Sequence, residues 1–174
     1  MHTQHNLEKI EEIVSSSEMK HFEKEQFLRK SSYFFMKNAG NKVFKIISKN
    51  FSIKQPVIVL CGPGNNGGDG FVIAKNLDKK GYQVEVYTLT KKNNYKGDSL
   101  KALSEYGHGL KNINSLRLKK NALVVDALFG IGLNRKVKGK LKEIFRQINN
   151  ANTNVVSVDI PSGVCSNTGR VLGS

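Results

Sequence analysis

Two textures divide the chain. From position 6 to position 50, apolar residues recur at helical spacing, which predicts helices rather than strands. "SSEM" opens a helical run for which Ser16 or Ser17 would serve as N-cap, a hydroxyl accepting a first-turn amide. Further on, "SSYFFMKNAGNKVFKIISKNF" sets Phe35, Ala39, Val43, Ile46 and Ile47 along one helical face. Gly40 interrupts that pattern at a cost of up to ~1 kcal/mol against Ala. A close helix-to-sheet contact and a helix break explain it equally well.

From Pro56 onward, short apolar runs alternate with helical stretches. "PVIVLC" is a continuous run bounded by Pro and Gly, as in a strand buried on both faces. "GDGFVIAKNLDKKG" then places Gly70, Ile73, Ala74 and Leu77 on one helical face, with Gly81 as a stop. "QVEVYTL" is the next strand, and "KGDSLKALSEYG" a helix ending at Gly107. "NALVVDAL" and "TNVVSVDI" read as two more buried strands, with "KLKEIFRQINN" as the helix between them. This alternation predicts an α/β fold with a parallel, doubly wound sheet and helices on both faces. No repeat, low-complexity linker or second domain interrupts it. Residues 1–174 therefore read as one domain, with N-terminal helices over 6–50 and the α/β core over 56–174.

Size and composition fit that picture. A chain of 174 residues buries roughly 70% of its unfolded surface, and 39% apolar with 24% charged residues is ordinary for a globular protein. No apolar stretch approaches the ~20 residues that span a bilayer, so no membrane role is expected. The start, "MHTQHNLEKIEEIV", has no apolar export segment or small-residue cleavage site. Cys61 and Cys165 are too few for a disulfide framework, and reduced thiols in a cytoplasm are the expectation.

The net charge of +14 raises nucleic acid as a ligand. The basic residues, however, are 23 Lys and only 5 Arg, scattered over every segment. Base readout and stacking favour Arg, and neither an RNA-binding aromatic motif nor a helix-turn-helix pattern is present. With 18 Asn as well, the surplus reads as Lys and Asn on solvated faces, and no specific nucleic-acid partner is expected.

Candidate chemistry gathers at strand ends, where open parallel sheets bind ligands. "CGPGNNGGDG" follows the first strand, "DALFGIGLNRK" follows "ALVV", and "DIPSG" follows "VVSV". Each brings an Asp to a strand-to-loop junction: Asp69, Asp126 and Asp159. Taken singly, such an Asp is more often a cap or turn residue; three in one sheet point to a site. Gly62, Gly64 and Gly67 satisfy G-x-G-x-x-G, leaving the backbone free to turn tightly near a ligand, and Gly67 and Gly68 open a helix whose free amides suit a phosphate. An ordinary dinucleotide fold also wants an acid at the tip of the second strand, about 20 residues on. Glu85 lies inside the strand between Val84 and Val86, a poor match. There is no G-K-[ST] and therefore no P-loop. Ser162 is not in a nucleophile elbow, none of the four His is placed as a triad base, and Cys/His spacing gives no zinc site.

"GPGNNGGDG", "VVDALFGIGL" and "VDIPSGV…TG", in this order, resemble the NAD(P)HX epimerase family, the YjeF N-terminal domain. "SSEMKHFEKE" and "FMKNAG" resemble that family's N-terminal helices, so the likeness covers nearly the whole chain. It implies a three-layer α/β/α Rossmann-like fold, often dimeric, that interconverts the R and S forms of NADHX and NADPHX, cofactors hydrated at C6. A dehydratase partner, fused or separate, would take the S form, and a homodimer is the implied assembly. By the resemblance, Asn65, Asn66, Gly67, Gly68 and Asp69 contact substrate, as do Gly130, Ile131, Gly132, Leu133, Asn134, Arg135 and Lys136, and Asp159. Asn66, Asp126 and Ser162 would hold one potassium ion per subunit through oxygen. Asp159, expected at a partly buried strand end, is the candidate acid/base, with hydroxyl binding alone as its simpler role. Asp126→Ala is expected to weaken substrate binding more than it disturbs the fold. Family domains continue past the "TG…G" segment, so the sheet is expected to be incomplete at the C-terminus. A non-enzymatic scaffold or nucleotide-binding module on the same fold is the alternative, and an ordinary NAD-dependent oxidoreductase is disfavoured by Glu85.

Overall fold

The structure, a computed structural model, describes residues 14–173. The part of the predicted N-terminal helix over 6–13 lies outside the described residues. Helix α1 runs Ser16–Phe27. Its N-cap is Ser15, one residue before the expected caps, because Ser15 and Glu18 form a reciprocal capping box. Helix α2 runs Ser32–Asn50, capped by Ser31. Its buried stripe is Tyr33, Met36, Gly40 and Ile47, with Val43 and Phe44 packed beside it. Of the predicted face, Val43 and Ile47 turn inward, while Ala39 and Ile46 are exposed. The apolar arc of this helix is wide enough to support either alignment, and packing against a neighbouring helix selects one.

Beyond α2 come β1 (Val57–Cys61), α3 (Asn65–Lys80), β2 (Val84–Thr88), α4 (Gly97–Tyr106) and β3 (Lys111–Asn112). The chain continues through β4 (Leu123–Ala127), α5 (Lys140–Asn150) and β5 (Asn154–Ser157). The strands form one parallel sheet in the order β3-β2-β1-β4-β5. Alternation of side chains builds two cores. Val57, Val59 and Cys61 of β1 join Leu123 and Val125 of β4 beneath α2, α3 and α4. Ile58, Leu60 and Val124 face the other way, against Ile144, Phe145 and Ile148 of α5. Helices thus cover both faces, as the alternating pattern predicted.

Two expectations are corrected. Gly40 is neither at a helix break nor against the sheet: it is interior to α2, and a Cβ there would lie 2.7 Å from Val72 Cβ of α3. It is a point of close approach between two helices. Nor is β5 a buried strand, since Val155 is 45% exposed. Among the described residues it is the last strand in the sheet order and pairs only with β4.

The order reverses direction between β1 and β4. The connection from β1 leads by α3 to one side of the sheet, and the connection from β4 leads by α5 to the other. The loops leaving the carboxyl ends of these two strands diverge and leave a crevice, the usual ligand position in open α/β sheets.

Candidate functional site

A cleft of about 740 Å³ occupies that crevice. Its walls come from the β1–α3 turn, the segment after β4 and the segment after β5. The β1–α3 turn is tight because Gly62 and Gly67 allow backbone to meet backbone. A Cβ on Gly62 would sit 1.8 Å from the Leu128 carbonyl oxygen, and one on Gly67 equally close to the Gly62 carbonyl. These glycines therefore close the turn against itself and against β4, while Gly64 faces open space. Gly64 is also the N-cap of α3 and offers no side-chain cap, which leaves first-turn amides without an intrahelical partner.

The candidates after β1 separate by role. Asn65, Asn66 and Asp69 line the cleft. Gly67 is buried in the turn and can offer only its amide. Gly68 faces away, packed near Met36 and Ser99, with its amide bonded to the Gly64 carbonyl. Asn66 Oδ1 and Nδ2 are both buried without a hydrogen-bond partner among the described residues. An unpaired buried polar group costs about 1–3 kcal/mol, so an orphaned amide beside a cleft marks a position for a ligand.

Gly130, Ile131, Gly132, Leu133, Asn134 and Arg135 also line the cleft. Lys136 lines a neighbouring cavity of about 560 Å³ with Lys138 and Val137. The Ile131 amide donates to Asp159 Oδ2 at 2.8 Å. Gly130 makes room for that bond, since a Cβ there would be 2.3 Å from the same oxygen. Asp159 lines the cleft but is exposed, not partly buried as expected from its strand-end position. The edge location of β5 leaves its trailing loop open to solvent.

Asp126 and Ser162 stand apart from the cleft lining. Ser162 Oγ donates to Asp126 Oδ1 at 2.6 Å, and the Ser162 amide donates to Asp126 Oδ2 at 2.8 Å. Asp126 Oδ1 also accepts the Leu128 amide, and Ser162 Oγ accepts the Phe129 amide at 2.9 Å. The pair ties the segments after β4 and β5 together beneath the cleft floor. Burial raises the Asp126 carboxyl above its ordinary range, and its bonds to Ser162 and Leu128 work against that.

Asp69 is strongly perturbed. Burial first, then the charges of Asp159 and Glu23, push its carboxyl up to about 7. Glu23 and Met19 reach the cleft from α1, and Ala39 from α2. Sequence reasoning missed these three. The capping box is a local signal for α1, but nothing local shows which face of it meets the sheet. Long-range bonds do this work: Ser16 Oγ meets Ser166 Oγ at 2.6 Å, and the Ser16 amide donates to Asn167 Oδ1. Glu85, in contrast, is held by Lys111 at 3.1 Å and Lys119 at 2.7 Å, a surface ion cluster well away from a ribose-binding role.

The donor set suits a monovalent cation chemically: a neutral amide, a carboxylate and a hydroxyl, all oxygen. Asp126 and Ser162 are in contact, and Asn66 is the residue with unfilled hydrogen-bonding capacity.

Comparison with known proteins places the chain in a family. A family model described as YjeF-related protein N-terminus matches residues 32–174. The chain is 36% identical over 175 residues to the "Bifunctional NAD(P)H-hydrate repair enzyme Nnr" of Dictyoglomus turgidum, covering 92% of this chain and 33% of that protein. It is 34% identical over 169 residues to the "NAD(P)H-hydrate epimerase" of Limosilactobacillus reuteri, covering 94% of this chain and 80% of that one. Among solved structures, the yeast protein ynu0 (YNL200c) matches with a TM-score of 0.74 and 26% identity, over 88% of this chain and 72% of the other. The chain thus spans about a third of the length of the bifunctional relative.

Proposed function

The chain belongs to the YjeF-related protein N-terminus family, and on that premise we propose that it is an NAD(P)H-hydrate epimerase interconverting the R and S forms of NADHX and NADPHX. One observation carries the reading: a cleft at the sheet's switch point holds Asp69 and Asp159 beside the buried, unpartnered amide of Asn66. Cofactor binding alone has no need of two acids there. Epimerisation at a carbon that bears a hydroxyl and adjoins a ring nitrogen requires protons to be given and taken.

Asn65, Asn66 and the segment from Gly130 to Arg135 would position the hydrated ring and its ribose, and the first-turn amides of α3 would meet a phosphate. Asp159, anchored through Oδ2 by Ile131, is the proton-transfer group at the open side of the cleft. Asn66, Asp126 and Ser162 would hold a potassium ion, which when bound supplies positive charge beside the Asp126 carboxylate and a partner for Asn66 Oδ1. The naming of a bifunctional relative supports a dehydratase, fused or separate, as the consumer of the S form. Two free thiols, Cys61 and Cys165, suit a reducing compartment such as the cytoplasm.

The test starts from R-enriched NADHX and follows formation of the S form through an S-specific dehydratase, with spontaneous epimerisation subtracted. Conversion well above that background is expected. Conversion at the background rate, with substrate at saturating concentration, would refute the assignment.

A further inference from the structure

Asp126 and Asp159 each have a defined hydrogen-bond partner, and three other acids hold lysines. Glu85 holds two lysines, Glu105 pairs with Lys75 and Glu143 with Lys140. Asp69 has none: among the described residues its carboxyl makes no hydrogen bond or ion pair, although the chain carries 28 Lys and Arg against 14 acids. It lines the cleft from α3, whereas Asp159 lines it from the segment after β5, so two carboxyls face one ligand space from different walls. A half-buried acid that pairs with no cation among the described residues is poorly suited to holding a fold together and well suited to holding a proton.

Resting on the epimerase reading, we infer that Asp69 is a second catalytic residue: it protonates the C6 hydroxyl as that group leaves, and Asp159 accepts the proton of the water that returns. The C6–O bond breaks with its electron pair passing to oxygen, which takes the Asp69 proton and departs as water. The N1 lone pair forms a second bond to C6, giving a planar iminium. Water then adds to the opposite face: its oxygen bonds C6, N1 recovers its pair, and the released proton goes to Asp159. One turnover moves a proton from Asp69 to Asp159, and exchange with solvent at the exposed Asp159 resets the pair. The reverse epimerisation runs the same steps backward.

The electrostatics agree with this division. Burial first, and then the charges of Asp159 and Glu23, raise Asp69 to about 7, so at neutral pH a large fraction of it is still protonated. Along the adjoining groove, α2 adds Lys42 and Lys45 and the first turn of α4 adds Asp98. Arg135 completes the charged groups of the cleft.

The experiment uses the full chain with R-enriched NADHX. Asp69→Asn should bind substrate within a few-fold of the unmutated protein and lose about 10²- to 10⁴-fold in turnover, the usual worth of a positioned acid/base. Asp69→Glu, which restores a carboxyl, should recover part of the loss. In the unmutated protein kcat/KM, which reports groups of the free enzyme, should fall as pH rises past about 7, and Asp69→Asn should lack that decline. A readout independent of activity is the Asp69 carboxyl titration by NMR, whose midpoint should move down in Asp159→Asn. An active unmutated chain with Asp69→Asn turning over at the same rate overturns the Asp69 assignment and leaves the epimerase reading standing. An Asp69 midpoint near 4 also overturns it. No conversion by the unmutated chain removes the epimerase reading and this assignment together.

Discussion

Asp126 shows how contacts change the meaning of a residue. From sequence alone, its removal is expected to weaken binding more than folding. The structure adds a folding role, because Asp126 accepts bonds from Ser162 Oγ, the Ser162 amide and the Leu128 amide while 8% exposed. Asp126→Ala strands those donors, each worth about 1–3 kcal/mol when buried and unpaired. The variant should therefore melt well below the unmutated protein, by about 2–4 °C for each kcal/mol lost. Melting within a degree of the unmutated protein would return Asp126 to a purely ligand-binding role. Asp69 makes the opposite prediction. Its folded-state carboxyl is raised from 3.8 to about 7, so folding favours the protonated form. Its contribution to stability is complete below about 4 and is lost as pH rises through about 7. Asp69→Asn removes that dependence, so the Tm difference between variant and unmutated protein should grow in the variant's favour from pH 4 to pH 8. A difference that stays flat over that range would mean the carboxyl is not perturbed.

At the scale of elements, the strands and most helices were legible because their signals are local. Helix α5 runs Lys140–Asn150, the quoted stretch in full, and α3 and α4 end at left-handed glycines, Gly81 and Gly107, as their sequences suggest. What escaped was set by neighbours. Strand β3 has two residues, too few to form an apolar run. "NVVS" carries the same valines whether central or at an edge, and strand order alone leaves Val155 exposed. The three strand-end motifs did converge, but Gly67, Gly68, Lys136, Asp126 and Ser162 fall outside the cleft lining because facing direction depends on packing. Gly40 offers the sharpest test at this scale. Ala in its place gains up to ~1 kcal/mol of helix propensity, yet its Cβ would lie 2.7 Å from Val72 and 3.2 Å from the Asp69 carbonyl oxygen. Overpacking of this kind costs roughly 1–3 kcal/mol, so Gly40→Ala should be destabilised. Because the strain bears on the Asp69 backbone, it should also reduce turnover. A variant melting higher than the unmutated protein would show that α2 and α3 can separate freely.

For the whole molecule the question is what a net charge of +14 does. The cleft itself is not basic: Glu23, Asp69 and Asp159 line it, with Arg135. A polyanion would find no complementary groove there, and binding of duplex DNA or RNA should stay near the non-specific range of ~10⁻⁴ to 10⁻⁶ M at physiological salt. The proposed substrate is different. A hydrated dinucleotide is a small anion that meets the field of the whole surface before it meets the cleft. A positive field raises encounter rates for an anion, and salt screens it, with a Debye length of about 8 Å at physiological ionic strength. The chemical step involves groups within the cleft and should be far less sensitive. Raising salt from low to physiological strength should therefore lower kcat/KM for NADHX and leave kcat nearly unchanged. NADPHX carries an additional phosphate, so its kcat/KM should fall more steeply over the same range. Equal slopes for the two substrates, or a parallel fall in kcat, would mean that the lysine surplus has no part in capturing them.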